Sequence, residues 1–125
     1  MNIPPCILVV DYSPTARQIT SAMLSEAGYD VVTAEDGVDA LRLFTFHQPD
    51  AVVLDVILPK KNGFQVCRQL KANPEYTPKV LMLTSKTNES DQEWGRRQGA
   101  DEYLTKPFEA DQLLDSLENL LTKAS

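Results

Sequence analysis

Five short apolar runs, each followed by a longer amphipathic stretch, limit what this chain can fold into. They are CILVV (6–10), YDVVTA (29–34), AVVLD (51–55), KVLML (79–83) and the more polar DEYLT (101–105). Three are apolar without alternation, the pattern of strands covered on both faces; a strand with one wet face alternates instead. Strand and helix therefore alternate five times in 125 residues. That order predicts an α/β domain with a parallel sheet, helices on both faces and right-handed crossovers. Hydrophobic residues make up 42% of the chain, enough for one core. No linker, repeat or low-complexity stretch divides it, so the expectation is a single domain over residues 1–125 with no output domain.

The helical stretches carry their own punctuation. Ser13-Pro14 predicts a helix start, a serine cap followed by proline at the first helical position. Ile19, Met23 and Ala27 then share a face, and Gly28 stops the helix. Asp36 precedes Val38, Leu41 and Phe44 at helical spacing, and the turn PKKNGF precedes Phe64, Cys67 and Leu70. Leu113, Leu114, Leu117, Leu120 and Leu121 make a continuous stripe in the last stretch. The fourth stretch, TNESDQEWGRRQGA (87–100), has one large apolar residue, Trp94, and Gly95 in its middle. A helix glycine costs roughly 1 kcal/mol relative to alanine, so this is expected to be the least firmly docked helix.

Charge narrows the function classes. The formal net charge is -6 and the isoelectric point about 4.7. Duplex-binding surfaces carry a basic excess, so direct nucleic-acid binding is not expected. The start, MNIPPC, has no basic segment, and no stretch reaches the roughly 18 apolar residues of a membrane span. A soluble cytoplasmic protein without membrane insertion is expected. Cys6 and Cys67 each sit in an apolar stretch and read as two reduced core thiols.

Ligands of open parallel sheets bind beyond the carboxyl ends of the strands. Asp11, Asp55 and Thr84 end apolar runs there, and Lys106 follows the fifth run. Asp55 is the sharpest, a carboxylate inside AVVLDVILP, because a partly buried charge is expensive unless paired or bound to a metal. The bland alternative, a strand-end turn, stays open for Asp55 and more so for Asp11. Two neighbouring carboxylates want a cation, and a hard ion such as Mg²⁺ suits oxygen ligands. Carboxylates, Mg²⁺, a lysine and a hydroxyl together describe phosphoryl transfer, and a carboxylate can itself be the nucleophile.

The stretches ILVVDYSPTARQ, AVVLDVILPKKNGF, VLMLTSK and GADEYLTKPF, in that order and spacing, resemble the response-regulator receiver domain of two-component signalling over essentially the whole chain. NGFQVCRQLK and WGRRQGADEYLTKPF look most like single-domain regulators of type IV pilus twitching motility and related phototaxis systems. The resemblance implies a flavodoxin-like (βα)5 fold with strand order 2-1-3-4-5. It implies that Asp55 accepts a phosphoryl group from a sensor histidine kinase or phosphotransfer protein. Thr84 would hydrogen-bond the phosphoryl oxygens and Lys106 would pair with them. Asp55, the backbone carbonyl of Ile57 and an acidic pair after the first strand would hold Mg²⁺. Tyr103 matches the switch aromatic, and the Lys106–Pro107 bond is expected to be cis. A downstream protein would bind the face made by the fourth helix, fifth strand and fifth helix in a chemotaxis-like or pilus-motility pathway. Such a protein catalyses only its own phosphorylation and dephosphorylation.

Tyr12 departs from that pattern. The family usually has two acids in succession after the first strand, and this chain reads Asp-Tyr. The missing acid is the one that typically touches Mg²⁺, whereas Asp11 matches the partner that works through a water. A neutral phenol is a poor Mg²⁺ ligand, so metal affinity is expected to be weakened. Three readings remain: Asp11 or a water substitutes for the lost ligand; the site is degenerate and the domain acts by phosphorylation-independent binding; or Tyr12 is an introduced or tolerated variant whose ring covers the pocket.

Other readings fit less well. A flavin site of the flavodoxin type needs a hydroxyl- and glycine-rich phosphate loop, and DYSPTARQ has no glycine. An Asp-x-Asp phosphatase needs a second aspartate where Ile57 stands. Lys86 could add charge at the rim, beside the small Ser85 that leaves the site open. His47 reads as a helix-end charge, Lys60-Lys61 as turn solvation, and Arg96-Arg97 as a solvated or partner-binding face.

Overall fold

A computed structural model describes residues 3–84, 93, 97 and 99–122. The elements run β1 (Cys6–Val10), α1 (Pro14–Glu26), β2 (Asp30–Ala34), α2 (Gly37–His47), β3 (Ala51–Asp55), α3 (Gly63–Lys71), β4 (Lys79–Thr84), β5 (Glu102–Thr105) and α4 (Ala110–Thr122). Most of the 87–100 stretch, expected to be the least firmly docked helix, lies outside the described residues; Glu93 and Arg97 form an exposed ion pair of 3.3 Å. All strand pairings are parallel, in the order β2-β1-β3-β4-β5.

The unbroken apolar runs follow from this architecture. Successive strand side chains point to opposite faces, and both faces are covered. Leu8, Val10, Val52, Leu54, Val80 and Met82 pack toward Ala40 and Phe44 of α2 and Val66, Cys67 and Leu70 of α3. Ile7, Val9, Val53, Leu81 and Leu83 pack toward Leu24 of α1 and Leu113, Leu117 and Leu120 of α4. Each such buried side chain contributes about 1.5–3 kcal/mol, so these two layers, not any single polar contact, hold the sheet ends in place. Both cysteines are free, and burial pushes the Cys67 thiol up to about 12. No helix among the described residues is long and apolar enough to cross a membrane.

Local chemistry sets the helix ends. Ser13 Oγ accepts from the Ala16 N–H, and Gly28, at φ 97°, lets the chain turn out of α1. Asp36 caps α2 by accepting from the Asp39 N–H, and Asn62 with Gln65 forms a reciprocal capping box on α3.

Two expected helix faces hold in part. Thr20 and Leu24 are the buried residues of α1, while Ile19 is about half exposed and Ala27 is exposed. Ala40 and Phe44 anchor α2, while Val38 is 48% exposed. Met23 of α1 and Leu41 and Phe44 of α2 do pack against the core as expected, so each true face overlaps the expected one and is turned from it by a small rotation that apolar spacing leaves open, because alanine and threonine also fill helix–sheet contacts.

Candidate functional site at the carboxyl edge of the sheet

The strand register brings the polar strand ends together. Val10 is level with Leu54, Asp55 with Leu83 and Thr84 with Thr105. Asp11, Asp55 and Lys106 therefore leave three strands at one edge. Close backbone approach fixes the loop after Asp55: the Gly63 N–H donates to the Val56 carbonyl at 2.8 Å. A Cβ at Gly63 would collide with the Asp55 carbonyl oxygen, so only glycine fits.

Asp55, 9% exposed, places Oδ1 on the Ile57 N–H at 3.0 Å and Oδ2 on Lys106 Nζ at 2.5 Å. Asp11, 3% exposed, places Oδ1 on the Ser13 N–H at 3.0 Å and Oδ2 on the same Nζ at 2.8 Å. Each carboxylate thus has one oxygen held by a turn N–H and one turned to the shared ammonium. The strand-end turn and the charged site coexist in the same residues. Burial disfavours the Lys106 ammonium, but the hydrogen bonds it donates to Asp11 and Asp55 outweigh this and raise its pKa above 10.5. Two carboxylates against one ammonium leave the cluster one net negative charge.

Lys106 is held in register by its own N–H, which donates to the Thr84 carbonyl at 2.7 Å, and the Lys106–Pro107 bond is cis as expected. Thr84 is buried at the end of β4, and Tyr103 is half-buried on β5, level with Met82. Ser85, Lys86, Trp94 and Arg96 lie outside the described residues.

Tyr12 is 63% exposed. It therefore takes no part in the core. The expectation for Lys60 and Lys61 is corrected: Lys60 Nζ pairs with Asp36 Oδ2 at 3.2 Å, and Lys61 Nζ donates to Gln69 Oε1 at 3.1 Å. Polar side chains of neighbouring elements lie within reach of the turn, which a local reading of PKKNGF leaves out. His47 packs edge-on against Phe46 at the end of α2.

One contact had no place in the sequence reading. Arg17 Nη1 donates to the Asp11 carbonyl oxygen at 2.7 Å. A basic residue one helical turn past the Ser13 cap was the available signal. A groove of about 440 Å³ also opens beside the site, lined by Ala16, Ile19, Met23, Lys106, Pro107 and Phe108. Half-exposed Ile19 lines this groove instead of the core.

The donor chemistry fits a hard cation. Asp11 and Asp55 already gather around one positive charge, and both offer oxygen. Among the described residues no group of three acidic, histidine or cysteine side chains is assembled for a metal. Two carboxylates, a backbone carbonyl and waters suit Mg²⁺, which keeps several waters and often uses only one or two carboxylates.

The chain is similar to known proteins in sequence and in fold. A sequence description of the response regulator receiver domain matches residues 7–118. Protein PilH of Pseudomonas aeruginosa is 42% identical over 116 residues, covering 92% of this chain and 96% of the relative. Other curated relatives are longer, and the chain spans about half their length, 53% for one MprA response regulator. Among solved structures, chemotaxis protein CheY4 of Vibrio cholerae superposes with a TM-score of 0.91 at 34% identity, covering 95% of this chain and all (100%) of the other. The receiver domain of a Pseudomonas aeruginosa sensor histidine kinase, solved with magnesium in its active-site cleft, superposes at 0.89 with 28% identity, covering 97% and 100%.

Proposed function

This chain belongs to the response-regulator receiver family, and we propose that it is a phosphoacceptor switch in which Asp55 takes a phosphoryl group from the phosphohistidine of a sensor kinase or phosphotransfer protein. The observation that carries this reading is the single ammonium of Lys106 bonded at once to Asp11 and Asp55 at the carboxyl edge of the sheet.

An Asp55 carboxylate oxygen attacks phosphorus, the P–N bond to the donor histidine breaks, and its electron pair stays on the imidazole. The turn N–H of Ile57 holds the other Asp55 oxygen and so orients the nucleophile. The Lys106 ammonium moves from carboxylate to phosphoryl oxygen, keeping the charge compensated, and the Thr84 hydroxyl donates to a second phosphoryl oxygen. Mg²⁺, when bound by Asp11, Asp55 and the Ile57 carbonyl, would neutralise charge on the transferring group. With Tyr12 in place of an acid, that affinity is weakened. The groove along α1 beside Lys106 gives a donor helix an apolar seat next to Asp55. Phosphorylation then draws Thr84 toward the phosphoryl group and Tyr103 inward, which reshapes the face of the 87–98 stretch, β5 and α4 for a downstream protein. Likeness to PilH and CheY4 favours a pilus-motility or chemotaxis-like pathway.

The test is labelling with a small phosphodonor in Mg²⁺. An acid-stable, base-labile label that disappears in Asp55→Asn supports the reading; no label in the folded parent overturns it. One observation favours a second reading. Tyr12 contributes no carboxylate and Lys106 already partly compensates the two acids, which suits a degenerate receiver that works by binding alone. Partner capture unchanged by Asp55→Asn would favour it.

A further inference from the structure

We infer that Arg17 is the positioning residue of the metal-side carboxylate: its guanidinium clamps the Asp11 backbone from α1, so that the Asp11 side chain keeps its place when Lys106 leaves. The inference deepens the phosphoacceptor reading and rests on it.

Asp11 lies one residue beyond β1, where ladder bonding ends. Each of its four polar groups has one partner. Its N–H donates to the Ala34 carbonyl at 3.1 Å, and its carbonyl accepts from Arg17 Nη1 at 2.7 Å. Oδ1 accepts from the Ser13 N–H, and Oδ2 from Lys106 Nζ. Only the last bond must break during phosphoryl transfer, because Lys106 is then needed on the phosphoryl oxygens. The remaining three decide whether Asp11 stays aimed at the site. Of these, the Arg17 bond has a charged donor and the Ser13 bond a charged acceptor, and charge-assisted hydrogen bonds are shorter and stronger than neutral ones; the Arg17 bond is the one that reaches Asp11 from a side chain of α1.

The geometry suits the task. Arg17 sits in the first turn of α1, where its N–H donates to the Ser13 carbonyl at 2.9 Å. Helical side chains tilt toward the N-terminus, so Arg17 reaches back over Ser13 and Pro14 to the strand end. Leu24 fixes the same helix to the core. The clamp therefore ties a loop carrying Asp11 and Tyr12 to a rigid element. Arg17 also lines a small cleft with Thr33, Glu35 and Asp39. In a site with the usual second acid, misplacing one carboxylate leaves another. Here Asp11 is the sole acid of the first loop, and its placement carries more weight.

Two readouts on Arg17→Met test this. In metal-free protein, amide hydrogen exchange at Asp11 and Ser13 should quicken by about tenfold while Val52 and Val53 in β3 stay protected, the rate change expected for losing a charge-assisted hydrogen bond of about 1.4 kcal/mol. Mg²⁺ affinity, read by amide shifts, should fall by roughly threefold to tenfold. Arg17→Lys, which keeps a charged donor, should recover part of both and stands in if the methionine variant does not fold. If the guanidinium acted only as a charge near the metal, its removal would tighten Mg²⁺ binding. Unchanged exchange at Asp11 and Ser13, or faster exchange with equal or tighter Mg²⁺ binding, overturns the inference. A parent that binds no Mg²⁺ defeats the metal part of the proposed function, and the exchange readout then decides the clamp alone.

Discussion

At the amino-terminal edge of the sheet one lysine serves one acid; at the carboxyl edge one lysine serves two. Lys71 Nζ meets Asp101 Oδ2 at 2.5 Å and the Pro78 carbonyl at 2.8 Å, and the same Asp101 oxygen accepts the Val80 N–H at 2.7 Å. Asp50 nearby takes the Cys6 N–H at 2.8 Å. These bonds join α3, the start of β4 and the approach to β5, and Lys71 and Asp101 match one charge for one. At the other edge, Lys106 bridges Asp11 and Asp55 with one negative charge in excess. The first cluster is a closed joint. The second accepts further positive charge, or an anion delivered together with a cation. Similar groups on one sheet therefore separate into scaffold and site by charge balance.

Replacing residues at each edge should separate chemistry from stability. The largest effect is expected for Asp55→Asn, which should abolish labelling completely yet leave stability unchanged or slightly higher, since one of two like charges is removed; thermal unfolding checks this, and a marked loss of stability would make the carboxyl edge a structural joint. Lys71→Met should do the reverse. It leaves Asp101 without its cation in a half-buried setting, at about 2 kcal/mol, and the melting temperature should drop by roughly 6–10 °C with Asp55 labelling intact. Tyr12→Asp should tighten Mg²⁺ binding by about tenfold, the effect of a second nearby carboxylate at the site margin; equal or weaker affinity in a titration would remove Tyr12 from the metal site.

The pH profile sharpens the same contrast. The folded-state pKa of Lys106 lies above its ordinary 10.5 because Asp11 and Asp55 hold the charged form against burial. A raised pKa means that the stabilising contribution is complete below 10.5 and is lost as pH climbs through the folded value. Denaturant unfolding between neutral pH and alkali should show this decline, and Lys106→Met should flatten it. The smallest effect belongs to Arg42→Ala, which removes the exposed 2.6 Å pair with Asp39; double-mutant analysis should give under about 0.5 kcal/mol.

Much of this was legible in the residues themselves. The five runs place the strands to within a residue or two, most plainly for the inner strands β1, β3 and β4, whose burial on both faces favours unbroken apolar sequence. Ser13-Pro14, Asp36 and Gly28 set helix ends by local hydrogen bonding, and local rules travel with the sequence. The faces of α1 and α2 were less legible, since spacing alone leaves a helix free to rotate by one residue. Asp55, Thr84 and Lys106 were visible as polar residues closing apolar runs. Their mutual distances were not, because the bridge from Lys106 to Asp11 spans 95 positions and depends on the strand order. The Arg17 clamp, the Lys60–Asp36 pair and the Lys71–Asp101 joint escaped the reading because each partner looks like an ordinary surface charge until the fold brings the two together.

The most direct measurement is amide NMR of the Mg²⁺-loaded protein before and after adding beryllofluoride, a phosphoryl mimic. Shifts at Asp55, Thr84 and Lys106 that spread to Tyr103 and the 87–98 stretch are the expected result, and they would mean a working switch with Tyr12 in place. An unchanged spectrum in the native chain, restored to response by Tyr12→Asp, would contradict it and leave a receiver that acts by binding alone.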